Sequence, residues 1–347
     1  MTYRRKIFCS SIFSVFLLIS SVSADDQFKS DSVNGTEIIG MFLKDANRGD
    51  IEAQYLLGAH YYYGNLVAQN YAEAFKWLSK AAKKGNINAQ KTLGLMYRLG
   101  NGVSQNYAEA FRWYSKAAKQ SDATAQSYLG AMYSSGEGVT QNYAEAIRWY
   151  SKAAKQGNVN AQLNLGLMYY KGEGVAKNHA EAFMWYNKAA EQDNAKAKFN
   201  LGLMYYKGEA VPQNYAEAAR WFSKAAEQGH VNAQYVRGYM YSLGEGGAQS
   251  TAQAISWFSK AAEQGHVDAQ INLALVYETG LGVPQNYVMS YMLAILAATQ
   301  GDENTVELRS MLMNKLSREQ IAEAQQKASE WRVNTSLPSH SDFKTWP

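Results

Sequence analysis

The sequence predicts an all-α solenoid, a fold built from a tandem array of short helix pairs. The main observation is a constant period of 36 residues, because the alanine that opens each first helix recurs without insertion or deletion. These alanines are Ala53, Ala89, Ala125, Ala161, Ala197, Ala233 and Ala269. Such a period is typical of arrays in which each unit buries its apolar face only by stacking on its neighbours. The composition agrees, because 47% hydrophobic residues suit a folded protein and four prolines leave helices largely uninterrupted.

The first residues differ from the rest and have the pattern of a secretory signal peptide. Basic residues occupy positions 4–6, residues 7–19 are mainly apolar, and residues 22–24 offer small side chains for cleavage. A membrane anchor is the alternative, but the apolar stretch is shorter than the roughly 20 residues that a spanning helix needs. We therefore expect cleavage after Ala24, no membrane span in the mature chain, and a periplasmic or secreted location.

Cleavage would change the charge of the chain. The full sequence carries 34 basic and 30 acidic residues, and removal of three basic residues leaves 31 against 30, a net charge of about +1. With both signs interspersed, this balance offers no electrostatic surface for nucleic acid. Cys9, the only cysteine, lies in the removed segment, so we expect no thiol chemistry, disulfide or cysteine-ligated metal in the mature chain.

The repeats are expected to be flanked by capping segments. In chain order we predict a signal peptide at 1–24, a mobile segment at 25–36, an N-terminal capping helix at 37–52, seven repeats at 53–304, C-terminal capping helices at 305–332 and a mobile tail at 333–347. Ala46 lies 36 residues before Ala82, so the first capping helix resembles a lone second helix. Ser317 and Gln320 have the spacing of a capping box at the start of the last helix.

Within a repeat, the residues fit two helices, named helix A and helix B, with a glycine turn between them. Leu93, Met96 and Tyr97 follow Ala89 at helical spacing in helix A of the second repeat. Gly94 stands inside that helix despite a cost of about 1 kcal/mol against alanine, which predicts close approach of a neighbouring backbone. An asparagine caps helix B, and a left-handed glycine ends it at Gly85, Gly157, Gly229, Gly265 and Gly301.

Aromatic residues also recur with the period. Helix B carries Trp77, Trp113, Trp149, Trp185, Trp221 and Trp257, and helix A carries Tyr61, Tyr97, Tyr133, Tyr169, Tyr205, Tyr241 and Tyr277. Rows of rings can bind sugars or bases by stacking, but one indole per helix B beside an alanine pair is more economically explained as core packing between helices.

Together these residues resemble a known repeat. In the third repeat the pattern consists of Ala125, Leu129, Gly130, Tyr133, Gly136, Gly138, Val139, Ala146, Trp149, Ala153 and Ala154. It resembles the Sel-1-like repeat, a relative of the tetratricopeptide repeat, over about residues 37–304, and residues 316–331 resemble the closing helix of bacterial members. The resemblance implies a right-handed superhelix whose members are adaptors that bind other proteins, often in the bacterial envelope or at the host interface. It implies no enzymatic chemistry.

Two repeats depart from the pattern. The sixth has Arg237 in place of leucine, and we expect this side chain to turn toward the groove or solvent because a buried, unpaired charge is costly. The seventh has Leu293 in place of tryptophan and Ala274 in place of the helix A glycine.

No catalytic or cofactor motif is present in the sequence. Nucleotide-binding, metalloprotease and serine-hydrolase signatures are absent, so we expect no enzyme activity, no catalytic residue and no cofactor. His230 and His266 are 36 residues apart, and a metal site is one interpretation of the pair. Asparagine or aspartate occupies the equivalent place in other repeats, which favours helix caps over metal ligands.

The positions that vary between repeats indicate a binding surface. The residues two and nine places after the opening alanine share a face of helix A, and the resemblance implies that this helix lines the inner curve. The predicted protein-binding groove contains Tyr55, Tyr62, Lys91, Arg98, Tyr170, Phe199, Tyr206 and Tyr235. Tyrosine and arginine are frequent in protein interfaces, although some of these side chains could instead complete packing between repeats.

These observations predict an exported, non-enzymatic scaffold that binds a protein or peptide partner, in host interaction or envelope regulation. The alternative is an envelope protein that binds carbohydrate or peptidoglycan, or acts on it, through the aromatic groove. RNA recognition by helical repeats is disfavoured by the export signal and the near-neutral charge.

Overall fold

A computed structural model of the protein describes residues 35–299 and 305–344. Within these ranges the structure contains 17 α-helices, one short 3-10 helix and no strand. The predicted all-α solenoid class of tandem helix pairs is therefore confirmed. The predicted signal peptide at 1–24 lies outside the described residues, as does most of the segment at 25–36.

The chain consists of two compact units, and the first extends to Gln105. Its described helices are α1 (Gly35–Asn47), α2 (Ile51–Tyr63), α3 (Tyr71–Lys83) and α4 (Ile87–Leu99). α1 occupies the place predicted for a capping helix, and its Ile39 and Ala46 share a buried cluster with Leu57 and Trp77. α2 and α3 form the first repeat, and α4 is helix A of the second.

The second unit begins at Asn106 and contains the remaining repeats. Its described helices are α5 (Tyr107–Lys119), α6 (Ala123–Ser135), α7 (Tyr143–Lys155), α8 (Val159–Lys171), α9 (His179–Glu191), α10 (Ala195–Lys207), α11 (Tyr215–Glu227), α12 (Val231–Leu243), α13 (Thr251–Glu263), α14 (Val267–Thr279), α15 (Tyr287–Ala298), α16 (Thr305–Met313) and α17 (Arg318–Glu330). Each helix A of this unit packs on the helix B of its own repeat and on the helix B before it.

Helix A begins and ends in the same way in every repeat. The side chain three places before the opening alanine accepts a hydrogen bond from the alanine N–H, and these caps are Asp50, Asn86, Asp122, Asn158, Asn194, His230 and His266. A glycine with φ between 72° and 79° follows the last residue of each of these helices. Glycine suits this place because the left-handed conformation carries no penalty without a Cβ atom.

Helix B is fixed by the turn before it. The Asn178 side chain caps α9, and the Asn178 backbone N–H donates to the Tyr169 carbonyl of helix A across 2.9 Å. The predicted left-handed glycines after helix B are confirmed at Gly85, Gly157, Gly229 and Gly265, where φ lies between 82° and 95°. Gly301 lies outside the described residues.

The glycine inside helix A is closest to a side chain of helix B, and the predicted approach of a neighbouring backbone comes second, with the Ala254 carbonyl 3.1 Å from a Cβ atom added at Gly238. A Cβ atom added to Gly166 would lie 2.7 Å from the ring of Tyr186, which follows the tryptophan in helix B of the same repeat. The seventh repeat changes both places at once, because Ala274 replaces the glycine and Ala294 replaces the ring, and both alanines are fully buried. The two changes compensate in volume, which explains this departure from the pattern.

Arg237 corrects a second expectation. The side chain is buried, with 7% of the residue exposed, and does not turn toward the groove or solvent. Its guanidinium lies over the ring of Tyr241, 4.3 Å from the ring centroid. A favourable cation–π contact therefore accompanies the burial of this charge.

Three of the six tryptophans of helix B are buried as predicted. Trp77, Trp113 and Trp185 are buried, whereas Trp149, Trp221 and Trp257 are half-buried. Each ring of the row also lies under the ammonium group of the lysine three residues later, at 3.9 to 4.5 Å from the centroid. The series therefore combines core packing with cation–π contacts at the surface.

The C-terminal segment packs against the last repeats. The predicted capping box is present, with Ser317 and Gln320 bonded reciprocally at the start of α17. Farther on, Phe343 is buried, and the Leu337 N–H donates to the Glu263 carboxylate across 3.1 Å. These contacts are made within the segment predicted to be a mobile tail at 333–347, and its mobility stays a prediction.

Candidate functional site

The predicted groove residues near the start of helix A lie in contacts between successive repeats. The Phe199 ring stacks on the His230 ring with centroids 4.6 Å apart, and the Tyr235 ring stacks on the His266 ring at 4.4 Å. Each histidine caps helix A of the following repeat. These rings are half-buried, as are Tyr55 and Lys91 at the equivalent places.

The predicted groove residues near the end of helix A also contact the next repeat. The Tyr206 hydroxyl donates to the Glu245 carboxylate across 2.9 Å, and the Tyr170 hydroxyl accepts from the Lys207 ammonium group at 3.2 Å. Burial and the Glu245 bond raise the pKa of Tyr206 to about 12, so the hydroxyl stays protonated as a donor.

Tyr62 occupies the same place in the first unit and is buried, with 7% exposure. Its hydroxyl accepts a hydrogen bond from Asn101 Nδ2 at 3.3 Å. Arg98 is half-buried. All eight predicted side chains are thus at least half-buried, and their assignment to a protein-binding groove stays a prediction.

The most exposed apolar side chains of helix A are six and ten places after the opening alanine. In the second unit these are Tyr239, Leu243 and Leu275, with 42%, 52% and 43% exposure. Tyr63 and Leu99 occupy such places in the first unit, with 59% and 51% exposure. We call the residues two, six, nine and ten places after the alanine the helix A face.

The sequence contained a signal for these exposed residues, but its apolar character is more typical of core. The sixth place holds Ala59, Leu95, Ala131, Leu167, Leu203, Tyr239 and Leu275. An apolar row at helical spacing ordinarily marks the buried side of a helix. In this fold the buried side is supplied by other places, and the row remains open to solvent at Tyr239 and Leu275.

The connection between α9 and α10 contains an ion pair where the other connections have a glutamine contact. Six of the seven helices A have a buried glutamine after the opening alanine, whose amide donates to an alanine carbonyl at the end of the preceding helix B. In α10 the glutamine is replaced by Lys198, which is 6% exposed. Its ammonium group pairs with Asp193, and Asp193 also accepts from the Gln228 amide at 2.6 Å.

Asp193 stands where most other connections have a left-handed glycine, and its φ is 66°; Ser121 is the other exception, with a φ of 65°. The hydrogen bond and charge of Lys198 lower the pKa of the Asp193 carboxyl, which keeps it ionised. An open cleft of about 540 Å³ adjoins this pair and is lined on other sides by Glu191, Trp221 and Glu227.

The histidine pair acts as helix caps, as predicted. His230 Nδ1 accepts from the Ala233 N–H at 3.2 Å, and His266 Nδ1 accepts from the Ala269 N–H at 3.4 Å. Burial lowers the pKa of both rings, and Lys196 lowers that of His230 further. Across residues 35–299 and 305–344, no group of three or more histidine, cysteine or acidic side chains is placed to hold a metal ion.

Among the described residues, no helix has both the length and the apolar character needed to cross a membrane.

The fold and the helix A face define a helical-repeat protein, a class that generally uses stacked helices as an interaction scaffold. Comparison with known proteins identifies the type of repeat. The Sel1 repeat matches seven consecutive segments: residues 51–86, 87–122, 123–158, 159–194, 195–230, 231–266 and 267–302. The chain therefore belongs to the Sel1 repeat family, whose members are generally non-catalytic and mediate protein interactions.

Two solved bacterial structures support the same assignment. A protective antigen of uropathogenic Escherichia coli with a Sel1-like repeat fold is 38% identical, with a TM-score of 0.72, over 85% of this chain and 64% of the antigen. This chain thus spans just under two thirds of the antigen. A Sel1 repeat protein from Oxalobacter formigenes is 32% identical, with a TM-score of 0.63, over 70% of this chain and 96% of its own. No curated protein matches the chain.

Proposed function

We propose that the protein is an exported, non-enzymatic scaffold that binds a protein or peptide through the helix A face of its second unit. The observation that carries the proposal is the set of exposed apolar side chains on α12 and α14. Tyr239 and Leu275 occupy equivalent places 36 residues apart, and Leu243 lies one turn beyond Tyr239. Contiguous exposed apolar surface commonly marks an interaction site, and tyrosine is a frequent interface residue.

Half-buried tyrosines supply the polar part of this face. Tyr206 and Tyr170 are held by hydrogen bonds to the following repeat, so their rings have fixed positions. Fixed side chains lose little conformational entropy when a partner binds. A partner with apolar side chains spaced along an extended or helical segment would fit such a surface.

The carbohydrate alternative has less support. Sugar binding by stacking needs open aromatic faces, but each tryptophan in the helix B row has a lysine ammonium group over its ring. The tyrosines of the helix A face contact histidine, tyrosine or phenylalanine rings of the fold itself. These contacts favour a protein partner.

Export and a role at the host interface or in envelope regulation belong to the same proposal. The basic, apolar and small-residue sequence of positions 4–24 supports export. The Escherichia coli relative is a protective antigen, which supports exposure of this type of protein to a host.

A quantitative capture experiment tests the binding face. Wild type and a Tyr239→Ser/Leu275→Ser variant are coupled to beads, incubated with envelope and host-cell extracts, and compared by mass spectrometry. The captured partner is then purified for calorimetric titration. We expect the variant to bind the partner at least about tenfold more weakly, a loss of about 1.4 kcal/mol.

A matched control removes two exposed apolar side chains away from the helix A face. Met184 and Val306 are 37% and 59% exposed, and a Met184→Ser/Val306→Ser variant should retain the affinity. Equal losses in both variants, or a loss in the control alone, would place the partner elsewhere and contradict the proposal.

A further inference from the structure

The last residues of helix B carry an ordered series of charges in the second unit. α5, α7, α9 and α11 end at Lys119, Lys155, Glu191 and Glu227 respectively. These four residues occupy the same place in successive repeats and are spaced by 36 residues. The sign of the charge therefore changes once, between α7 and α9.

These terminal charges are exposed and have no hydrogen-bond or ion-pair partner among the described residues. Other charges on the same helices are paired. Arg112 lies 3.3 Å from Glu109, and Arg148 lies 3.2 Å from Glu145. The lysine one turn before each terminal residue lies over a tryptophan ring. The four terminal side chains are therefore available to a second molecule.

Helix electrostatics explain the lysines but not the glutamates. The C-terminal end of a helix carries a partial negative charge, which favours lysine and disfavours glutamate in the last turn. Lys119 and Lys155 agree with this rule, whereas Glu191 and Glu227 oppose it. The two glutamates thus have a local cost at the end of the helix, although Lys198 and Lys224 line the same cleft.

The four helix ends are aligned along one edge of the stack. The glutamine that follows the charged residue is linked to the preceding end of helix B. Gln192 donates to the Gly157 carbonyl at 3.0 Å, and Gln228 donates to Asp193 at 2.6 Å. Gln156 donates at 2.8 Å to Gln126 of its own repeat, whose amide in turn donates to the Ala118 carbonyl at 3.4 Å. These bonds hold successive ends of helix B in the same relation to one another. The edge therefore presents two positive charges followed by two negative charges in regular order. Glu263 at the end of α13 continues the negative series, but its carboxylate accepts a hydrogen bond from the Leu337 N–H of the C-terminal segment.

We propose that this edge pairs with the same edge of a second copy of the chain, in antiparallel orientation about a two-fold axis between α7 and α9. Lys155 then faces Glu191 of the second copy, and Lys119 faces Glu227. The two-fold axis repeats both contacts, which gives four ion pairs. An interface of this type uses the same surface on both subunits, so the surface must be self-complementary.

The charge order meets that requirement. Reversing a series of two positive and two negative charges places the opposite sign at every position, whereas parallel alignment places like on like. The spacing also matches automatically, because both copies follow the same 36-residue period. The cleft lined by Glu191, Trp221 and Glu227 offers space at this part of the edge. Two lysines also line it, but both are held within the fold, Lys198 by Asp193 and Lys224 over the Trp221 ring.

We expect a weak and salt-sensitive dimer. Exposed ion pairs contribute little individually and are screened as ionic strength rises. Sedimentation velocity of the mature chain should show dimer formation with rising protein concentration at about 20 mM salt, and monomer at about 500 mM salt.

Charge reversal provides the decisive test. A Lys119→Glu/Lys155→Glu variant presents four negative charges on the edge, and a Glu191→Lys/Glu227→Lys variant presents four positive charges. Each alone should self-associate at least tenfold more weakly than wild type. An equimolar mixture should form a heterodimer, because every position of one variant then faces the opposite charge on the other.

A control variant, Lys171→Glu/Lys207→Glu, changes the same amount of charge at the ends of helix A and should dimerise like wild type. Circular dichroism of all variants checks that they are folded. A wild type that stays monomeric at low salt, together with a mixture that forms no heterodimer, would overturn the proposal. Unchanged dimerisation of both reversal variants would overturn it as well, because the interface would then lie on another surface.

Discussion

At the residue scale, the cap at the start of helix A shows how one structural task is met by different side chains. Asparagine or aspartate accepts the alanine N–H in the first five repeats, and His230 and His266 do so in the last two. An imidazole nitrogen can accept this bond only when it carries no proton. The histidine caps therefore add a dependence on pH that the asparagine caps lack.

We expect the free energy of unfolding to decrease as the pH is lowered through the region just below 6.5. Burial lowers the pKa of His230 and His266 in the folded chain, so the unfolded chain binds more protons between the folded value and 6.5. Stability then rises with pH in that window and is constant above it. Urea denaturation at pH 7.5 and pH 5.5 measures the difference.

The control for this effect is present in the sequence itself. A His230→Asn/His266→Asn variant keeps the cap used by other repeats and should lose most of the pH dependence. Burial also lowers the pKa of His60, so a small slope should remain. An unchanged slope in the double variant would assign the pH dependence to other groups.

The glycine inside helix A supports a second prediction at this scale. Gly166→Ala should destabilise the chain by about 1 to 3 kcal/mol, because its Cβ atom would lie 2.7 Å from the Tyr186 ring. Urea denaturation measures the cost, and Gly247→Ala is the control, since no atom lies within 4 Å of its added Cβ atom.

A double-mutant cycle links this prediction to the seventh repeat. Gly166→Ala with Tyr186→Ala reproduces the natural alanine pair at 274 and 294 and should cost less than the sum of the two single changes. If the free-energy costs of the two single changes simply add in the double variant, the side chains at 166 and 186 do not share one packing volume.

At the scale of elements, the connection between α9 and α10 has exchanged an amide contact for a charged one. Lys198 is buried, and its partner Asp193 adopts a left-handed backbone conformation that favours glycine. The two replacements are physically coupled because a buried ammonium group needs a counter-charge. A sequence pattern alone shows two unrelated departures.

We expect Asp193→Gly to lower the denaturation midpoint, even though glycine suits the backbone better at this place. The variant leaves the buried Lys198 without its carboxylate partner. Adding Lys198→Gln restores the arrangement of the other repeats and should recover at least the wild-type midpoint. A single Asp193→Gly variant as stable as wild type would show that Lys198 reaches solvent easily.

At the scale of the whole molecule, the repeats account for most of the chain, and its location is predicted from the N-terminal residues. The pattern of positions 4–24 predicts export and cleavage after Ala24. The protein is isolated from the envelope or the growth medium of the cells that produce it. Its N-terminal sequence should begin at Asp25. Soluble cytoplasmic protein that retains Met1 would contradict export.

The sequence by itself determined the repeat unit, its seven copies and the ends of its helices. These features are local, because an asparagine cap, a left-handed glycine and a helical apolar row act within a few residues of one another. The 36-residue period repeats these local signals along the chain. The residues His230 and His266 were correctly predicted as caps by comparing equivalent places.

Only the tertiary structure decided which side chains of helix A are covered. The places two and nine residues after the opening alanine looked variable and were predicted as a groove, yet the following repeat contacts Tyr206 and Phe199 there. The places six and ten residues after it carried no prediction from the sequence, yet Tyr239 and Leu243 are exposed there. A helix in isolation has no buried side, and the stacking of its neighbours defines one.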